Sequence, residues 1–193
     1  MFHKILFVSI SWFGAIAASL AMSVLPLQLD EIAANAQLIF QGTCTGNRSE
    51  HDSQTGMVVT YTTFEVQETL KGSVGPSHTI KQAGGETDHA SHRIEGIPSF
   101  TVGQEYVVFL YGVSNLGFSS PVGLGQGQFA VVDGPTGRQL SNGRDFIDMI
   151  PNQADWPAGR PARSALERDS GEIRHLGLDD FKQIVKRHLG GAR

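Results

Sequence analysis

The stretch Thr60-Tyr-Thr-Thr-Phe-Glu-Val-Gln-Glu-Thr-Leu-Lys-Gly72 decides the fold. Thr62, Phe64, Val66 and Leu70 fall on one face of it and Tyr61, Thr63, Glu65 and Gln67 on the other. That is the two-residue period of a strand with one buried side. Its first half is rich in β-branched and aromatic residues, which suit a pleated surface, and Gly72 adopts positive φ readily where the chain must turn. A strand of this length, followed by shorter ones at near-regular spacing, is what a small closed barrel is wound from.

Outward from that strand, residues 36–45 set Leu38, Phe40, Gly42 and Cys44 on one side, which predicts a first strand over 38–45. The polar run 46–56, with His51, Asp52 and Ser53, is a loop between the two. Downstream, residues 78–82 alternate about Ile80 as a third strand, and residues 83–99 have neither period, which predicts a long surface loop. Tyr106-Val-Val-Phe-Leu-Tyr111 is apolar on both faces and needs cover on both. Residues 126–132 and 138–140 read as a hairpin through Asp133-Gly134. Ahead of the strands, Leu29-Asp-Glu-Ile-Ala-Ala34 predicts one or two helical turns with early carboxylates.

After the β domain of residues 22–140 the composition shifts to Asn, Gly, Arg, Pro and Asp over 141–177, a linker or irregular segment. Residues 178–189 then place Leu178, Phe181, Ile184, Val185 and Leu189 on one stripe, acids first and bases last. This predicts a C-terminal amphipathic helix that docks on its own domain, with a membrane or partner surface as the alternative.

The chain opens with His3 and Lys4, an apolar run from Ile5 to Ala18, and Ser19-Leu20-Ala21. Small residues at the two positions a signal peptidase inspects mark residues 1–21 as a signal peptide, with export to the periplasm or medium and no stable membrane insertion after cleavage. A retained anchor is the competing reading. The remaining chain is long enough to bury one core without staples, and a single cysteine, Cys44, permits no intramolecular disulfide. Cys44 reads as a small buried hydrophobe. A net charge of −4 gives nucleic acid no basic surface to bind.

The one constellation with ligand character is Asp88-His89-Ala90-Ser91-His92 in the 83–99 loop. Asp88, His89 and His92 are candidate metal ligands, though a zinc site needs three or four donors, the rest of which would come from His51, Asp52 or His78 by folding. There is no His-Glu-x-x-His, Cys-x-x-Cys or Gly-x-Ser-x-Gly. Gly123-Leu-Gly-Gln-Gly127 precedes a strand rather than a helix, so these glycines read as a close strand crossing and not as a phosphate loop.

Residues 36–43 (Ala-Gln-Leu-Ile-Phe-Gln-Gly-Thr), 63–72 (Thr-Phe-Glu-Val-Gln-Glu-Thr-Leu-Lys-Gly), Gly84-Gly85, 100–110 (Phe-x-x-Gly-Gln-Glu-Tyr-Val-Val-Phe-Leu) and 125–129 (Gly-Gln-Gly-Gln-Phe) resemble a group of exported bacterial proteins of unassigned function. More distantly they are similar to the OB-fold barrel of tissue inhibitors of metalloproteinases and netrin-like modules. The resemblance implies a five-stranded OB-like closed barrel. It does not carry the inhibitors' zinc chelation, because no position matches their N-terminal cysteine. The expectation is an exported non-enzymatic module without cofactor, engaging or inhibiting a protease or another exported protein through the 46–56 and 83–99 loops. The alternative is a metal-dependent hydrolase built on His89 and His92, and a carbohydrate or oligonucleotide binder comes third.

Overall fold

A computed structural model describes residues 25–88, 90–135, 137–150, 152, 154 and 176–191. The expected leader over 1–21 lies outside the described residues, as does most of the 141–177 stretch.

The elements run α1 (Leu29–Asn35), β1 (Leu38–His51), β2 (Val58–Lys71), β3 (Ser77–Ala83), β4 (Gly85–Thr87), β5 (Ala90–His92), β6 (Glu105–Leu110), a 3-10 turn (Leu124–Gly127), β7 (Gln128–Gly134), β8 (Gly137–Ser141), α2 (Phe146–Met149), β9 (Leu176–Gly177) and α3 (Leu178–Gly191). The protein is mainly β with a C-terminal helix. β2 keeps the expected alternation, with Thr62 and Phe64 buried and Glu65, Gln67 and Thr69 exposed. Gly72 takes φ +80°, and a Cβ there would stand 2.7 Å from the Gln37 carbonyl oxygen, so the turn admits no side chain. Lys71 reaches back to donate to the Ala33 and Ala34 carbonyls at 2.9 and 3.2 Å, capping the C-terminus of α1. At the other end of that helix the Gln28 amide donates to Glu31 Oε2 at 2.8 Å.

Seven strands form one antiparallel sheet in the order β3-β2-β1-β6-β7-β8-β9, and β4-β5 is a separate hairpin. This corrects the closed five-stranded barrel expected from the sequence: the sheet is open. Closure would require the outer edges of β3 and β7 to meet. Instead β7 pairs with β8 from Ala130↔Ser141 to Gly134↔Gly137, and β8 pairs with β9 at Leu140↔Leu176. The far edge of β7 is therefore already occupied.

The sheet is nevertheless curled. Ile80 of β3 shares one apolar cluster with Val108 and Leu110 of β6, with two strands between them, together with Phe40, Phe64, Phe100 and Tyr106. A flat sheet would hold β3 and β6 on the order of 14 Å apart, whereas here residues 119–121 alone span them, from Lys81 of β3 to Leu110 of β6. Phe64 and Phe100 meet edge to face at 4.9 Å, and Phe100 and Tyr106 at 5.1 Å. Residues 119–122 lie along the gap. The Ser119 amide donates to the Lys81 carbonyl of β3 at 2.9 Å, while the Tyr111 amide donates to the Ser120 carbonyl at 3.0 Å and the Val122 amide to the Phe109 carbonyl at 2.8 Å.

The opposite face of β6 looks into a second cluster. Val107 and Phe109 join Ile39, Phe129 and Leu140 under α1, α2 and α3. α3 contributes Phe181, Ile184 and Val185 to it, all at 0% exposure. Phe146, Met149 and Ile150, in the stretch read as linker, are buried there as well. Among the described residues no helix is long and apolar enough to cross a membrane.

Candidate binding site

The loop that lacked any period in the sequence builds the site. β4 (Gly85–Thr87) and β5 (Ala90–His92) pair as a hairpin, in place of the strandless loop expected, with Gly85 opposite His92 and Thr87 opposite Ala90. The Gly84-Gly85 pair makes this possible: Gly84 has φ +88°, Gly85 φ +140°, and a Cβ on Gly85 would run into Thr60 Oγ1 and Ser49 Oγ. Thr60 Oγ1 in turn donates to the Gly84 carbonyl at 2.7 Å, so the hairpin is stitched to β2 where it leaves β3. The chain then returns through 93–100 and ends on Phe100, which plugs the apolar cluster at 4% exposure.

Between the returning loop and the sheet lies a cleft of about 290 Å³. Its wall is apolar, from Ile94, Ile97 and Pro98. Its deepest polar groups are Thr62 at 1% and Gln82 at 3% exposure. The Thr62 hydroxyl donates to Asn47 Oδ1 at 2.8 Å, and Asn47 Nδ2 donates to the Phe100 carbonyl at 2.7 Å, which ties β1, β2 and the loop together. Gln82 is less well satisfied. Its Nε2 makes one long bond of 3.4 Å to the Pro98 carbonyl, and its Oε1 has no hydrogen-bond partner among the described residues. The rim carries Glu86, His92 and Arg93, all exposed.

Comparison with protein-family models and with curated protein sequences gave no match.

The residues proposed from sequence as metal ligands are not brought together. Asp88 lies in the β4-β5 turn and His92 at the end of β5 on the cleft rim, whereas His89 lies outside the described residues. His51 is exposed at the end of β1. That strand runs six residues past the Thr45 expected as its end, so the polar loop shrinks to the turn after His51. Asp52 is engaged there: the Thr55 hydroxyl and amide and the Lys81 ammonium, 3.1 Å away, hold its carboxyl below the usual range. His78 packs edge-on to Phe40 at 5.6 Å, and burial pushes its imidazole below the ordinary value. Among the described residues no group of three or more His, Cys, Asp or Glu side chains could hold a metal ion. Cys44 is buried, and burial raises its thiol pKa, as befits a packed side chain rather than a nucleophile.

Gly123–Gly127, read as a strand crossing, instead winds into the 3-10 turn, though the close approach is there: a Cβ on Gly127 would stand 2.8 Å from the Val122 backbone. The residues that sequence reasoning missed are Thr62 and Gln82, which read as ordinary strand positions. The adjacent glycines at 84 and 85 were the signal that a backbone passes close by.

Proposed function

We propose that this chain is an exported, non-enzymatic binding module that engages another exported protein through the cleft between the 93–100 loop and the ends of β2 and β3. The observation that carries this reading is the chemistry of the cleft. Apolar walls enclose buried hydroxyl and carboxamide groups that do not titrate, and such groups recognise a ligand without activating it. The apolar core behind Phe100 makes the cleft a rigid receptor, as binding loops on a β scaffold require. Export rests on the signal-peptide pattern of residues 1–21, which implies a periplasmic or secreted protein. The likeness to tissue-inhibitor and netrin-like barrels supports the same class. On this reading the curled β1-β2-β3-β6 portion is an OB-like cylinder whose seam is filled by residues 119–122 in place of a strand pair.

The test is site-specific photo-crosslinking in the cells that produce the chain. A benzophenone amino acid at Ser91, on the cleft rim, is expected to give a discrete adduct with an exported protein. The same group at Thr69, about 30 Å along β2 by strand rise, is expected to give none. No adduct at Ser91, or equal labelling from both positions, would refute the proposal.

A further inference from the structure

Resting on the proposed binding role, the geometry points to an extended peptide segment bearing a carboxylate as the occupant of this cleft: its backbone amide would pair with Gln82 and its carboxylate with Arg93.

Two independent observations converge on that chemistry. The first is Gln82. Gln82 is 3% exposed as a residue; its Nε2 makes one 3.4 Å bond, and its Oε1, which accepts from no described residue, is reached by solvent at the cleft, where a ligand group can take the place of water. A carboxamide offers a donor and an acceptor in one plane, and a peptide unit offers the reciprocal pair, so one peptide bond can satisfy both atoms of Gln82 at once. The second is the rim. The Arg93 guanidinium makes no hydrogen bond or ion pair among the described residues, although five donors in a planar fork match a carboxylate bidentately.

Other ligand classes fit less well. Sugars are held by stacking on exposed Trp, Tyr or Phe faces, and among the described residues lining this cleft Phe100 is the one such ring, 4% exposed and packed on Phe64 and Tyr106. A phosphate dianion would place its second charge on a rim that also carries Glu86. A carboxylate brings a single charge, and the apolar wall of Ile94, Ile97 and Pro98 takes the side chain of the residue beside it. The carboxylate has two sources, the C-terminus of a partner chain or an Asp or Glu side chain within a loop, and the probes separate them.

Three peptides serve as probes: acetyl-Ala-Ala-Ala free acid, its C-terminal amide, and acetyl-Ala-Glu-Ala amide. Each is titrated into the chain purified after export while amide and side-chain NMR resonances are followed. One of the two carboxylate peptides is expected to shift the Gln82 and Arg93 side-chain signals and to bind about fivefold or more tightly than the neutral amide. A free-acid preference assigns the chain terminus, and a Glu-peptide preference assigns the side chain. Arg93→Gln, at an exposed position that leaves the core intact, is expected to bring the peptides within about twofold of one another, and Arg93→Lys to restore part of the difference. Gln82→Leu is expected to weaken all three alike. Equal binding of the three peptides to the unsubstituted chain, or no shift at the cleft with any of them at about 10 mM, would overturn the inference. An adduct at Ser91 obtained alongside that negative result would leave the binding role standing and reject only the ligand chemistry.

Discussion

Replacing Phe181 with alanine asks whether α3 is part of the domain or a free amphipathic element. Its ring is fully buried and lies 4.9 Å from the ring of Phe129, 5.8 Å from Phe146 and 6.0 Å from Phe109. Truncating a buried phenylalanine costs about 3–5 kcal/mol through lost transfer energy and the cavity left behind. Three aromatic contacts, each adding about 0.5–1.5 kcal/mol beyond area burial, place Phe181→Ala in the upper half of that range. With a urea dependence of about 2 kcal/mol per M, a loss of about 4 kcal/mol lowers the unfolding midpoint by about 2 M. The assay is urea denaturation followed by far-UV circular dichroism and intrinsic fluorescence. Gln183→Ala, on the exposed side of the same helix, serves as the control and is expected to stay within about 0.5 kcal/mol of the parent. A loss below about 1 kcal/mol for Phe181→Ala would refute the reasoning, because it would mean that the helix is not held by this cluster.

Three further outcomes follow from the same structure. Glu68 is held below its ordinary pKa, first by the Lys186 hydrogen bond and then by Lys182, so its contribution to stability is present above the unfolded-state value and is lost as pH falls through the folded one. Thermal melts from neutral to acid pH are expected to show a steeper decline in the parent than in Glu68→Gln. His78 is half-buried, and that desolvation favours the neutral form, so the fold weakens as pH drops below the ordinary histidine value of about 6.5; His78→Phe is expected to shrink the difference in Tm between about pH 7.5 and 5.5. Gly85→Ala, which forces a Cβ against Thr60 and Ser49, is expected to release the β4-β5 hairpin while the main sheet persists, read as loss of cross-strand NOEs between Gly85 and His92 with the β1-β2 set unchanged.

The strands were legible in the sequence wherever local periodicity alone sets them. Thr62 and Phe64 alternate with exposed neighbours, Tyr106–Leu110 is oily on both sides because both sides are covered, and Asp133-Gly134 turns a hairpin. The C-terminal helix was legible for the same reason. Closure was not. Whether β3 meets β7 depends on what else claims the edge of β7, and that competition runs through β8 to Leu176-Gly177, two residues too few to display any period. Likewise the docking of Phe146, Met149 and Ile150 was hidden by the polar and glycine-rich residues around them. The cleft was half legible. Its loop was visible as a stretch without period, but Asn47, Thr62 and Gln82 come from three strands, and only the fold sets them side by side. Imidazoles are chemically conspicuous in a sequence; a glutamine at the base of a cleft is not.

β6 forms a wall common to two oily compartments, with Val108 turned to one and Phe109 to the other. Neither compartment can come apart while the other stays assembled, since the same six-residue backbone seals both. Two cores should therefore melt as one cooperative unit, and the amide protons of Val107, Val108 and Phe109 should exchange with solvent only when the whole chain lets go.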